Sequence, residues 1–249
     1  MKIQVVGSNG SLGQVVVPIL KDFGFYVSSV GRHHHRFADS KIDWTMGEDY
    51  PIDQTIDYII YCPLDYSRIK FYNQFISENT KPLLDLIRAS NRRSKIILPL
   101  SFSGVLNSNS RYGKLKYLHQ ELAFTFGLQT LLVGWLNNPG NGGEMVQKVF
   151  AVLRSINLNI LPFGGNQEIF VSERKDLERA ILKLFEGEAN TCAIPSFSIN
   201  LVDLVYSQKP KNTFFLGNFV RQLLRIVPAF YLILPSRLVK AIDSARSLI

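Results

Sequence analysis

The stretch "KIQVVGSNGSLGQVVVPIL" constrains this chain more than any other. An apolar, strand-like run from Ile3 to Val6 passes directly into Gly7, Gly10 and Gly13, and an apolar helical pattern begins at once. So tight a turn between strand and helix needs residues without a Cβ. It also aims the unpaired N–H groups at the helix start, and the positive end of the helix dipole, at one point. Such a turn is either a structural junction or a cradle for an anion such as a pyrophosphate. Its place after the first strand of the chain favours the cradle.

The alternation continues downstream. "FYVSSVGR", "IDYIIYCP", "SKIILPLS" and "LQTLLVGWL" read as strands, nearly all apolar as in a parallel sheet covered on both faces. Between and after them, "RIKFYNQFISENTKPLLDLIRAS" (with Pro82 as a kink or a break), "GKLKYLHQELAFTFG", "GEMVQKVFAVLRSI" and "DLERAILKLFEGE" read as helices. This order predicts an α/β protein with a doubly wound parallel sheet. At 249 residues and 46% hydrophobic content the chain can form one such domain and a small appendage. We place the domain at 1–207 and a basic, aromatic-rich helical segment at 208–249.

That segment carries much of the net charge of +8: from Lys211 onward there are six basic residues against the single acid Asp243. It reads as a helical cap packed on the sheet or as a dimer contact. The alternative is a segment lying in a membrane interface with its cations on anionic headgroups. Pro228 and Pro235 interrupt a simple amphipathic helix and favour the first reading. A basic pI of about 9.5 raises nucleic-acid binding, but the charge sits in a hydrophobic tail without a nucleic-acid motif, so we expect no such partner. The opening residues read as a strand and a turn rather than a secretory leader. Cys62 and Cys192 stand far apart in apolar surroundings and read as buried free thiols. Both points lead us to expect a cytoplasmic protein, with the membrane's inner face as the alternative for the tail.

Two further patterns carry chemistry. The second strand ends "SSVGRHHHR", with Arg32 where a carboxylate would hold a ribose 2′-hydroxyl, and a guanidinium there suits a 2′-phosphate. His33, His34 and His35 are consecutive and lack ligand-spaced acids or cysteines, so they read as a solvated loop rather than a metal site. In "SFSGVLNSNSRYGKLKYLHQE", Tyr112 and Lys116 lie four apart on one helical face, and Ser101 and Ser103 stand where the preceding strand ends. A lysine ammonium beside a phenol lowers its pKa, and a serine hydroxyl can hold a substrate oxygen in line with it.

Taken together, Gly7-Ser-Asn-Gly-Ser-Leu-Gly13, Tyr112-Gly-Lys-Leu-Lys116 and the serines after the preceding strand resemble the short-chain dehydrogenase/reductase superfamily. The resemblance is to its extended or atypical branch of NAD(P)-dependent epimerases, dehydratases and reductases, over roughly residues 1–205. It implies a Rossmann-type sheet with the nicotinamide at the strand C-termini. Tyr112 would exchange the proton, Lys116 would bind the nicotinamide ribose and tune Tyr112, and Ser101 or Ser103 would orient the substrate oxygen. The cofactor would lie on Gly7, Asn9, Gly10, Ser11, Leu12, Gly13, Arg32, Cys62 and Lys116, with Asp43 at the adenine. The chain departs from the family pattern in "LSFSGVLN", in "YCPLDY" and at Gly134-Trp135.

The expected function is therefore an NADP-dependent oxidoreductase or epimerase acting on a hydroxyl or carbonyl carbon of a small molecule, such as a nucleotide- or lipid-linked sugar. NADP is expected over NAD, and the resemblance suggests a homodimer. The alternative is a non-catalytic NADP(H) sensor or scaffold on the same fold.

Overall fold

The computed structural model describes residues 1–51, 53, 55–67, 69–90, 94–102, 110–136, 160–161, 168–194, 197–200 and 214–215. Strands β1 (Lys2–Val6), β2 (Tyr26–Val30), β3 (Ser40–Ile42), β4 (Tyr58–Tyr61), β5 (Lys95–Ser101), β6 (Gln129–Val133) and β10 (Thr191–Ile194) form a seven-stranded sheet in the order β10-β6-β5-β4-β1-β2-β3. Every pairing in it is parallel. The strand order reverses beside β1, between β1 and β4, and a crevice at such a reversal is where open α/β sheets bind ligands. The doubly wound parallel sheet expected from the sequence is present.

Each face is covered by apolar helix stripes. Ile3, Val5, Val27, Ile60 and Ile97 face α1 (Gly13–Asp22) and α4 (Arg174–Glu186) through Val16, Ile19, Leu20, Leu177, Ile181 and Leu184. Val6, Val30, Ile59, Tyr61, Ile96 and Leu98 point the other way, onto Leu83 and Leu86 of α2 (Tyr72–Ala89) and Ala123 of α3 (Arg111–Phe126). Pro82 neither breaks nor ends α2, which runs on from Tyr72 to Ala89 with Pro82 buried in its packed face. Tertiary burial outweighs the lost backbone donor there.

Two smaller sheets follow. "LQTLLVGWL" is two strands, not the single one expected: the chain leaves the main sheet after β6, and β7 (Trp135–Leu136) joins β9 (Glu168–Ser172) and β11 (Phe197–Asn200). The Gly134 N–H donates to the Ser172 hydroxyl (2.7 Å), which turns the chain out of the main sheet. β8 (Ile160–Leu161) pairs with β12 (Phe214–Phe215). The helix expected over 143–156 and the cap expected over 208–249 lie outside the described residues, apart from β12.

Helix α3, which carries Tyr112 and Lys116, is anchored at both ends. The Ser110 hydroxyl accepts from the Gly113 N–H (2.8 Å), and Gly127 closes the helix in a left-handed conformation (φ 64°). Ser110→Ala should therefore cost about 1 kcal/mol of stability, read as a lower urea midpoint at unchanged slope.

Candidate active site

The glycine turn is set by close contact. Gly7 has φ 70°, and a Cβ on it would lie 2.9 Å from the Pro63 nitrogen and Cα, so the turn sits directly on the segment leaving β4. A Cβ on Gly13 would lie 2.6 Å from the Gly7 carbonyl oxygen and from Ser8 backbone atoms. Only glycine lets α1 begin that near the strand. Gly7 N–H donates to the Val30 carbonyl (2.8 Å), Gly10 N–H to the Gly7 carbonyl (2.9 Å), and Gln14 Nε2 holds Asn9 through its carbonyl and side-chain oxygens (both 3.2 Å). The start of α1 has no acid in its first turn, and its capping residue Leu12 offers no side-chain acceptor. An unneutralised helix start over a glycine cradle fits a pyrophosphate.

Beside the turn, the loop after β2 is not the solvated loop expected. His33 is exposed, but His34 is half-buried and His35 buried. Burial first, and Arg36 second, hold the His35 imidazole below its usual pKa. His34 bridges the Ser29 hydroxyl (Nδ1, 3.1 Å) and the Asp43 carboxylate (Nε2, 2.9 Å), and Ser29 in turn contacts the Ser8 hydroxyl at 2.5 Å. These contacts pull the imidazole inward. Arg32 is exposed at the end of β2, and the Asp43 side chain is 96% exposed.

The catalytic candidates meet at the C-terminal end of β5. Ser101, the last residue of β5, hydrogen-bonds the Tyr112 side chain. Lys116 Nζ donates to the Pro99 carbonyl of the same strand (2.9 Å) and lies 5.9 Å from the centre of the Tyr112 ring. Tyr66 stacks on Tyr112 at 6.4 Å between centroids and 21° between planes. Ser103 lies outside the described residues. Burial pushes the phenol of Tyr112 above its usual pKa, with the Ser101 hydrogen bond pulling the other way. Burial also pushes Lys116 down to about 8, against the opposing pull of Cys62. The Cys62 thiol, just past β4, is pushed up to about 12 by burial, with Lys116 opposing.

Two residues of this neighbourhood escaped the sequence reading. Asn79 of α2 accepts from the Asp65 N–H (2.7 Å) and donates to the carbonyls of Asp65 (2.9 Å) and Phe75 (2.8 Å), clamping the segment after β4. His119 is buried on the face of α3 that holds Lys116, against the Asn79 backbone. Burial, with Lys116 adding to it, holds its pKa near 3. Its spacing, three residues past Lys116 and seven past Tyr112, was the available signal.

No family model matches the sequence, and no curated protein matches it. Solved structures do resemble it. The UDP-glucuronic acid 4-epimerase from Bacillus cereus, in complex with UDP-glucuronic acid and NAD, superposes with a TM-score of 0.67 at 14% identity over 99% of each chain. The Helicobacter pylori ADP-L-glycero-D-manno-heptose-6-epimerase gives 0.66 at 13% identity, over 87% of this chain and 85% of that one. The dTDP-glucose 4,6-dehydratase from Bacillus anthracis, in complex with NAD, gives 0.66 at 13% identity over 87% and 84%. The chain thus has the fold of these epimerases and dehydratases, the Rossmann-type architecture implied by the resemblance. Among the described residues no helix is long and apolar enough to cross a membrane.

Burial of Lys116 gives the site a pH signature. Between its folded value of about 8 and the ordinary 10.5 the unfolded chain holds a proton that the folded one has released, so stability rises with pH. Cys62 opposes this above its ordinary 9.0, where the unfolded thiol has ionised and the folded one has not. Denaturation midpoints should therefore climb from pH 8 to pH 9, and Lys116→Met should flatten the climb.

Proposed function

We propose that the chain is an oxidoreductase or epimerase that uses a nicotinamide dinucleotide on a hydroxyl or carbonyl carbon, with a nucleotide-linked sugar as its substrate class. The observation that carries this reading is the meeting of Ser101, Tyr112 and Lys116 at the C-terminal end of β5, the end of the strands at which this fold takes ligands. The solved neighbours include enzymes held with NAD and with UDP-sugars, which supports the cofactor and substrate classes.

In this reading Gly7, Asn9, Gly10, Ser11, Leu12 and Gly13 hold the pyrophosphate, Asp43 meets the adenine, and Lys116 and Cys62 flank the nicotinamide ribose. Arg32 accepts a 2′-phosphate, which favours NADP over NAD: β2 ends without a carboxylate and Arg32 is exposed there. When bound, the nicotinamide supplies hydride acceptance and return. The chain supplies the proton. Burial keeps the Tyr112 phenol protonated at neutral pH, so its Oη can donate to a substrate carbonyl oxygen, with Ser101 fixing the direction of the O–H. The ammonium of Lys116, fixed on the Pro99 carbonyl, offers its other N–H donors to the cofactor and stabilises negative charge that develops on Oη. A homodimer would use the exposed aromatic side of α3, where Tyr117 and Phe124 (89% exposed) lie seven residues apart.

One observation favours the non-catalytic sensor as a second reading: burial raises the Tyr112 phenol and leaves it a weaker acid. Fluorescence titration with NADPH and with NADH tests the dinucleotide and its phosphate preference. Tighter NADPH binding that weakens in Arg32→Ala is expected, and failure of both to bind would overturn the reading. On a panel of nucleotide sugars, Tyr112→Phe should lower turnover by about 10²–10⁴-fold with cofactor binding retained. Cofactor binding without turnover of any panel member would favour the sensor.

A further inference from the structure

We propose that Tyr66 is a positioning residue for the proton transfer: its ring fixes the plane of the Tyr112 ring, and through that plane the direction in which the Tyr112 O–H points. The inference rests on the reading of Tyr112 as the proton donor and adds the group that aims it.

Three constraints locate a phenolic hydrogen. The first is the position of the Cα, which α3 supplies, since the Ser110 cap holds its first turn. The second is the position of the oxygen, which the hydrogen bond with Ser101 at the end of β5 supplies. The third is the plane of the ring. The oxygen lone pair conjugates with the ring, so the O–H lies in that plane and has two directions open to it. Neither α3 nor Ser101 fixes the plane. A tyrosine ring turns about its own long axis without moving the oxygen, and that torsion is broad. A donor out of line with the substrate oxygen transfers its proton poorly.

The contact that bears on the plane is Tyr66, whose ring lies 6.4 Å from that of Tyr112 between centroids and within 21° of parallel. This is within the range of an offset stack. Turning the Tyr112 ring breaks the parallel contact, and the contact resists the turn only if Tyr66 cannot follow. Tyr66 is held both by its ring and by its backbone. Its ring also packs on the wholly buried Phe75 of α2 (5.8 Å, 31°). Its carbonyl accepts from the N–H of Ile69 (3.2 Å), which is wholly buried in one apolar cluster with Phe75 and with Leu115 of α3. Just before it, Asn79 takes both backbone groups of Asp65, accepting from the N–H (2.7 Å) and donating to the carbonyl (2.9 Å). Across it, the Ser67 N–H donates to the Asp65 carboxylate (2.7 Å).

A second tie runs directly to α3. The guanidinium of Arg111 donates to the Ile69 carbonyl, so the residue before Tyr112 grips the turn that carries Tyr66. The two tyrosines are therefore registered twice, once ring on ring and once through the backbone of that turn.

The test compares Tyr66→Leu, which removes the ring, with Tyr66→Phe, which keeps it. On the nucleotide-sugar panel Tyr66→Leu should lower kcat by about 10- to 10²-fold, with the sugar KM and the NADPH Kd unchanged. Tyr66→Phe should recover the turnover. The free protein gives a further readout that needs neither ligand nor activity. With ¹³C-labelled tyrosine rings, and the Tyr112 signals assigned by their loss in Tyr112→Phe, NMR should show the Tyr112 ring flipping faster in Tyr66→Leu than in the unaltered chain or in Tyr66→Phe. Unchanged turnover or an unchanged flip rate in Tyr66→Leu would overturn the proposal and leave the reading of Tyr112 standing. So would a loss shared equally by Tyr66→Phe, or a loss of NADPH affinity that matches the loss of kcat. No turnover of any sugar by the unaltered chain would overturn both.

Discussion

The approach of Gly13 to the Gly7 carbonyl is the contact on which the rest of the site depends. It fixes where α1 begins and brings an uncapped helix start over the end of β1. It also seats the turn on Pro63, joining the first crossover of the fold to the segment after β4. Asn79 clamps that same segment to α2, and Tyr66 from it lies on the Tyr112 ring. Three stretches remote in sequence are thereby held around the C-terminal ends of the central strands.

Around Tyr112 the balance is between burial and charge, and burial prevails. Lys116 gives up much of its basicity to reach the Pro99 carbonyl, Cys62 stays a thiol, and His119 stays neutral behind them. The result is a cluster with one cation and no buried anion opposing it among the described residues. An electron-rich ligand entering at the strand ends would relieve an unbalanced charge instead of competing with a salt bridge, the arrangement expected where a site is kept ready for negative charge.

Much of this was legible in the sequence because the signals were local. Apolar runs gave five of the seven strands of the main sheet, all but the short β3 and the edge strand β10, and glycine spacing gave the turn. The four-residue interval gave the shared face of Tyr112 and Lys116. What was not legible depends on partners remote in sequence. Whether Pro82 ends a helix is decided by the core it packs into, and whether "LQTLLVGWL" is one strand or two is decided by Ser172, 38 residues downstream. The histidines looked alike as a triplet, yet Ser29 and Asp43 draw His34 inward while His33 stays in water. Electrostatics was the least legible layer, since the four-residue spacing does not reveal that a proline carbonyl takes the lysine first.

Ser172 shows how little slack the framework has. Its hydroxyl accepts from Gly134 and donates to the Ile194 carbonyl (2.6 Å), so one side chain fastens the exit of β6, the end of β9 and the edge strand β10. It is 1% exposed and has spent its hydrogen, so water cannot readily replace either bond. The smaller sheet is riveted to the larger at this point. Rocking of the two sheets about Gly134 would break both bonds together. Adaptation to ligands of different size is accordingly displaced from the sheets to the connections between them, and variation in specificity among chains built this way is expected to accumulate there while the rivet stays fixed.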